Sequence, residues 1–156
     1  MMKRALVFVI FVFCFGTTSV FAAETVTNLE YENFSVALPK NWTADKGDDG
    51  KYVAFSNADA SEALVVMVLR PFSGMTSKEF ADSVRANTKG YDFKSADEGF
   101  YMFKSKDGEI ECRSIVGVYG DAAISITVAG SGPELTALAA SVRIKIPYRP
   151  KTEVLF

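Results

Sequence analysis

The sequence contains no histidine among its 156 residues. Without an imidazole, the chain cannot use Ser-His-Asp or Cys-His catalysis. Its two cysteines are too few for a tetrahedral transition-metal site. Basic charge is also scarce, since 17 Lys and Arg stand against 19 Asp and Glu and the net charge is −2. We therefore expect no nucleic-acid partner and no transition metal.

The first 22 residues have the pattern of a secretory signal peptide. Lys3 and Arg4 precede an apolar run at 5–15, and Val20 and Ala22 occupy the −3 and −1 positions of a cleavage site. The apolar run at 5–15 is too short for a membrane-spanning helix, which needs about 20 apolar residues. The alternative interpretation is that the segment is an uncleaved N-terminal anchor. We predict a signal peptide at 1–22, no transmembrane segment after its cleavage, and a periplasmic or secreted location.

The rest of the chain, 23–156, has period-two patterns separated by short turns, which are typical of an antiparallel sheet. A charged turn is predicted at 45–50, and 63–69 is apolar on both faces, which predicts a central strand. The predicted strands are 34–38, 52–56, 63–69, 91–95, 100–104, 109–119 and 123–128.

Two amphipathic segments interrupt the strands and predict helices. Thr76 and Glu79 have capping-box spacing at the start of the first helix, and Ser131 and Glu134 repeat that spacing at the start of the second. The sequence therefore predicts a single α+β domain with helices packed on an antiparallel β-sheet. A loose C-terminal tail is predicted at 147–156.

One acidic loop is a candidate cation site. Asp45, Asp48 and Asp49 lie close together, and carboxylate oxygens are the ligands of hard cations such as calcium. Their spacing does not match an EF-hand loop, so we interpret the segment as a solvated turn and keep a cation site as the alternative. The sequence has no Gly-x-Ser-x-Gly, glycine-rich phosphate loop or dinucleotide fingerprint, and we expect no cofactor.

Paired carboxylates are the remaining route to hydrolysis. Glu109 and Glu111 alternate with Cys112 along one predicted strand and should face solvent. Glu111 and Arg113 share that face and are predicted to form a surface ion pair. We therefore predict that the protein is not an enzyme. Cys112 is predicted to be a buried, inert thiol, with a reactive or intermolecular thiol as the alternative.

Aromatic side chains are concentrated between positions 91 and 103. Alternation along the strand places Phe100 and Phe103 on opposite faces of the sheet. We expect one set of rings to enter the core and the other to meet a helix or a partner. The candidate partner surface consists of Tyr91, Phe93, Tyr101 and Phe103.

The segments 31–42 (YENFSVALPKNW) and 76–81 (TSKEFA) resemble the Mog1/PsbP-like superfamily, and the DcrB-like proteins in particular. The shared pattern is F-x-V-x-L-P-x-x-W, then strands, a helix, a meander and a final helix. The resemblance implies an α/β/α sandwich around an antiparallel sheet. It also implies a binding or assembly role, since members include photosystem subunits, a small-GTPase partner and chaperones for secreted effectors. No catalytic residue carries over.

Three hypotheses for function follow. The first is an exported, non-enzymatic binding module that engages a protein or envelope partner. The second is a small-ligand or lipid carrier with a pocket between the first helix and the sheet, for which an apolar cavity of several hundred cubic ångströms would be the sign. The third and least favoured is a carboxylate hydrolase, which requires two carboxyl groups that face each other across a cleft.

Overall fold

A computed structural model describes residues 26–156, so the predicted signal peptide lies outside the described residues. The elements in chain order are β1 (Val26–Glu30), β2 (Phe34–Pro39), β3 (Thr43–Lys46), β4 (Tyr52–Ser56), β5 (Ala63–Leu69), α1 (Ser77–Asn87), β6 (Tyr91–Ser95), a short 3-10 helix (Asp97–Gly99), β7 (Tyr101–Asp107), β8 (Ile110–Tyr119), β9 (Ala122–Ala129), α2 (Pro133–Ser141), β10 (Arg143–Ile144) and a second 3-10 helix (Thr152–Leu155). Neither α-helix in this part of the chain is long and apolar enough to cross a membrane.

Seven strands form one antiparallel sheet in the order β3-β4-β5-β9-β8-β7-β6. The apolar strand β5 lies inside this sheet, as predicted. Strand β3 was not predicted. All four of its residues are exposed, so its sequence has no hydrophobic pattern, and it is a strand because it pairs with β4. The predicted charged turn at 45–50 is therefore shorter than expected. A second sheet has the order β1-β2-β10.

The two faces of the seven-stranded sheet are covered by different elements. Ala123 of β9 is buried in one cluster with Phe80 and Ala81 of α1. Its neighbour Ile124 points the other way and is buried in a second cluster that includes Leu138 of α2 and residues of the small sheet. Because successive strand residues face opposite sides, α1 and α2 lie on opposite faces. The predicted α+β class with helices on an antiparallel sheet is confirmed.

The start of α1 has the predicted capping box. The Thr76 hydroxyl accepts a hydrogen bond from the Glu79 backbone N–H at 3.2 Å, and the Glu79 carboxylate accepts one from the Thr76 N–H at 2.7 Å. Hydrogen bonding of the Glu79 carboxylate to Thr76, chiefly to its backbone N–H, lowers the pKa of Glu79. Two otherwise unpaired N–H groups of the first turn are thereby satisfied.

The start of α2 differs from the prediction. Its N-cap is Gly132, which has no side chain to cap the helix. The Gly132 N–H instead donates to the carboxylate of Glu62, from the loop before β5. Glu134 accepts a hydrogen bond from the Trp42 indole N–H at 2.8 Å. The predicted Ser131–Glu134 capping box is therefore wrong, because Glu62 accepts the N-cap N–H and Trp42 engages Glu134.

The C-terminal tail is packed rather than loose. Tyr148 and Leu155 are 8% and 1% exposed and belong to the cluster beneath α2. The Tyr148 ring stacks on Phe100 with centroids 4.6 Å apart. The prediction of a loose tail at 147–156 is wrong, because these widely spaced apolar side chains provide enough buried surface to hold a segment without a strand or helix pattern.

Candidate binding surface

The predicted aromatic surface is divided between the two faces of the sheet. Tyr101 and Phe103 are two residues apart on β7 and therefore point to the α1 side. Phe93 of the neighbouring strand β6 points the same way, and its ring stacks on Tyr101 with centroids 5.2 Å apart and planes 3° from parallel. Tyr91 lies on the opposite face, because a bulge between 91 and 94 changes the register of β6.

The four residues also differ in exposure. Phe103 is 2% exposed and packs in the cluster of Phe80 beneath α1, so its ring is not accessible to a partner. Phe93 and Tyr101 are half-buried, and Tyr91 is 38% exposed. The structure therefore removes Phe103 from the candidate surface and leaves Phe93 and Tyr101 as its centre.

Helix α1 adds two cations to this centre. The Arg85 guanidinium lies 4.7 Å from the Phe93 ring centroid, and the Lys78 ammonium lies 5.8 Å from it. The ring of Phe93 thus contacts both an aromatic ring and a cation. Asp82 balances the charge, with its carboxylate 2.6 Å from Lys78 and 3.5 Å from Arg85. We define Lys78, Arg85, Phe93 and Tyr101 as the aromatic–cation patch.

Sequence reasoning missed the two basic residues of the patch. Lys78 and Arg85 are seven positions apart on one helix, which is two turns and places them on one side of α1. That spacing was available in the sequence. The sequence does not show that α1 packs across β7 and β8. That packing brings this side of the helix to Phe93.

The space between α1 and the sheet, where a carrier would need its pocket, is occupied by aromatic rings. Phe80 and Phe103 are 6% and 2% exposed there, and Phe72 packs against Phe80 with centroids 5.2 Å apart. This packing does not favour a ligand pocket at that position. The rings of Phe80 and Phe103 instead belong to the cluster against which Phe93 and Tyr101 pack.

An open groove lies on the opposite face, across β6, β7 and β8. It has a volume of about 510 Å³ and is bordered by Lys94, Met102, Lys104, Arg113 and Phe156. We call it the meander groove. Several of its side chains are charged, whereas the cavity expected of a lipid carrier is mostly apolar.

The groove also contains an ion pair that differs from the predicted one. The Glu111 carboxylate lies 3.3 Å from the Lys104 ammonium and accepts a hydrogen bond from the Tyr91 hydroxyl at 3.4 Å. Burial and the Glu111 charge raise the pKa of Tyr91. Arg113 donates instead to the Gly130 carbonyl. The predicted Glu111–Arg113 pair is therefore wrong. Glu111 pairs with Lys104 of β7, and Arg113 binds Gly130, which follows β9.

Two acidic residues near the meander, Asp97 and Glu111, are engaged in exposed ion pairs. Asp97 lies 2.6 Å from Lys151, whose hydrogen bond and charge lower the pKa of the Asp97 carboxyl. An acid with a lowered pKa is ionised at neutral pH and cannot act as a general acid. Glu111 is paired with Lys104 as described above.

Asp45, Asp48 and Asp49 are not brought together as a metal site. In the described part of the chain, no group of three acidic or cysteine residues is arranged to hold a metal ion. Asp49 accepts a hydrogen bond from the Lys51 backbone N–H at 3.0 Å and lies 3.4 Å from the Lys51 ammonium. The hydrogen bond from Lys51 lowers the pKa of Asp49.

Cys112 is half-buried rather than fully buried. Its strand neighbour Ile110 is 42% exposed, because the first residues of β8 extend beyond the part of the sheet that α1 covers. Burial raises the pKa of the Cys112 thiol. The thiolate is the reactive form, so a raised pKa agrees with the predicted inertness although the predicted full burial is wrong.

The fold has counterparts among solved structures. The chain is similar to the cyanobacterial PsbP (CyanoP) from Synechocystis sp. PCC 6803, with a TM-score of 0.52 and 12% identity over 77% of this chain and 92% of that chain. It also matches a structure from Bacteroides thetaiotaomicron VPI-5482, with a TM-score of 0.48 and 14% identity over 79% of this chain and 49% of that one. No family model and no curated protein matches the sequence. The comparison shows a PsbP-like fold.

Proposed function

We propose that the protein is an exported, non-enzymatic binding module that engages a protein partner of the cell envelope through the aromatic–cation patch. The observation that carries this proposal is the half-exposed stack of Tyr101, Phe93 and Arg85. Membership of the DcrB-like proteins is part of the proposal, and the PsbP-like fold supports it at the level of architecture.

The physical case rests on pre-organisation. Phe93 is held between neighbours on β7 and α1, so little side-chain freedom is lost when a partner covers it. Tyrosine and arginine are also the residue types that contribute most often to binding hot spots. A rigid aromatic surface rimmed by Lys78 and Arg85 suits a partner that presents apolar side chains beside acidic ones.

Capture of a partner from envelope extract tests the proposal when variants are compared. Phe93→Ala should reduce recovery of the captured protein by about tenfold or more, as expected when a hot-spot ring is removed. Tyr52→Ala is the matched control, since Tyr52 is 42% exposed but lies on β4, with β5, β9 and β8 between it and Tyr101. Equal recovery with Phe93→Ala and wild type would contradict the proposed surface.

Export is tested separately. We expect the full chain, expressed with its own N-terminus, to be cleaved after Ala22 and recovered from the periplasm or medium. N-terminal sequencing of the recovered protein should begin at Ala23. Recovery of an uncleaved chain in the membrane fraction would instead support the anchor alternative.

A further inference from the structure

The C-terminal segment 147–156 is attached to the domain in an unusual way. Its backbone hydrogen bonds, from Tyr148 to Ile146, from Val154 to Lys151 and from Phe156 to Glu153, all remain within residues 146–156. In the part of the chain that the structure describes, no backbone group of 147–156 bonds to the sheet that the segment crosses. Side chains alone hold it in place.

The aromatic and apolar contacts among these lie near the two ends of the segment. Tyr148 stacks on Phe100 and on Tyr119, with ring centroids 4.6 and 5.0 Å away. Leu155 is 1% exposed, and the Phe156 ring lies 5.4 Å from the Arg113 guanidinium. Between these anchors Pro150 and Thr152 are buried, and an exposed ion pair adds a polar link to the rest of the domain.

That polar link is the ion pair of Lys151 with Asp97, whose nitrogen and oxygen are 2.6 Å apart. The Asp97 side chain is 74% exposed, so solvent screens the pair and it contributes little to the free energy of attachment. It ties the middle of the segment to the 3-10 helix before β7.

The segment does not fill all of the face that it covers. A cavity of about 200 Å³ lies beneath it, bordered by Met102, Ile115, Tyr148, Lys151 and Val154. The meander groove lies beside Val154 and Phe156. Because protein interiors are normally close-packed, this cavity marks the part of the face that the segment leaves unfilled.

We propose that residues 147–156 form a displaceable strap, latched by the Asp97–Lys151 ion pair, which covers an apolar face of the meander around Met102 and Ile115. Detachment breaks no backbone hydrogen bond to the sheet, so the strap opens as a local unit while the sheet stays folded. The strap is the occupant of this face in the closed state, and its release joins the face to the meander groove.

Thiol labelling in the full mature chain tests this opening. In a Cys112→Ser background, Ile115→Cys places a thiol beneath the strap, and Val66→Cys places one in the same buried layer but two strands away, outside the strap. We expect a small disulfide reagent to modify Ile115→Cys at least about tenfold faster than Val66→Cys under native conditions. Equal rates would show that Ile115 is exposed only by global unfolding and would overturn the proposal.

The latch is tested by Asp97→Asn in both labelled variants. We expect it to accelerate modification of Ile115→Cys by about threefold, the scale of an exposed ion pair, and to leave Val66→Cys unchanged. Asp49→Asn is the control, since it removes another exposed carboxylate paired with a lysine, far from the strap. No effect of Asp97→Asn, or equal acceleration by both substitutions, would overturn the latch.

A second labelling position keeps the test available if the Ile115→Cys variant does not fold. Met102 is half-buried and lines the same cavity, so Met102→Cys reports on the strap with less disturbance of the core. If Ile115→Cys does not fold, we expect Asp97→Asn to accelerate modification of Met102→Cys instead. Insensitivity of Met102→Cys to Asp97→Asn would then overturn the proposal.

Discussion

The two faces of the seven-stranded sheet are built very differently. The face covered by α2 and the small sheet contributes to a cluster of 21 buried residues, whereas the face beneath α1 holds a cluster of five. The larger cluster supplies most of the buried apolar area and hence most of the stability. The smaller one leaves Phe93 and Tyr101 half-exposed beside two cations. We therefore expect stability and the proposed partner contact to depend on opposite sides of one sheet.

The largest expected effect tests the stability half of this comparison. Phe55 is fully buried in the larger cluster, so Phe55→Ala should lower the free energy of unfolding by about 3–5 kcal/mol. Phe93→Ala should cost only about 1 kcal/mol, because the ring is half-exposed and loses chiefly its stacking contacts. Urea unfolding followed by circular dichroism gives both values. Similar losses for the two variants would contradict the division between faces.

The next largest effect is expected for the contact between Glu62 and the start of α2. Glu62→Ala removes the acceptor for the Gly132 N–H and should lower the free energy of unfolding by about 1–2 kcal/mol, as for loss of a helix cap. Glu109→Ala, at an exposed turn, is the control and should change it by less than about 0.5 kcal/mol. An equal effect of the two substitutions would show that Glu62 does not cap α2.

The start of α1 offers a comparison with a local cap. Thr76→Ala should lower the free energy of unfolding by about 1 kcal/mol, whereas Ser83→Ala, on the exposed side of the same helix, should not lower it. Because the folded-state pKa of Glu79 is lowered, its contribution is present above the unfolded pKa and is lost as pH falls through the folded value. A Glu79→Gln variant whose acid unfolding profile matches the wild type would contradict this contribution.

The smallest expected effect concerns Cys112, at the margin of the α1 face. Because burial raises the pKa of its thiol, iodoacetamide should modify Cys112 more slowly than free cysteine at pH 8, and the difference should vanish in denaturant. A native rate equal to that of free cysteine would mean that the end of β8 is open to solvent.

Local patterns in the sequence predicted much of this fold. The alternation of 34–38 and the continuous apolar run of 63–69 predicted strands, and the spacing of Thr76 and Glu79 predicted the capping box that begins α1. Each of these signals lies within a few residues of the element that it specifies. These elements could therefore be predicted without knowing which distant segments contact each other.

The errors occurred where distant residues decide the structure. Glu134 has capping-box spacing after Ser131, but it contacts Trp42, which is 92 positions away in the chain. The strand β3 exists because β4 pairs with it, and the tail is ordered because Tyr148 reaches Phe100. The bulge in β6 turned Tyr91 away from Phe93. None of these tertiary contacts leaves a periodic signal in the sequence.

Site-specific photo-crosslinking in living cells tests the proposed surface most directly. A photoreactive phenylalanine analogue at position 101 places the reactive group on the aromatic–cation patch, and the same group at position 52 samples an exposed aromatic position on β4. We predict a discrete cross-linked product from position 101 that is lost with Phe93→Ala, and none from position 52. A product from position 52 with none from position 101 would contradict the assignment of binding to the aromatic–cation patch.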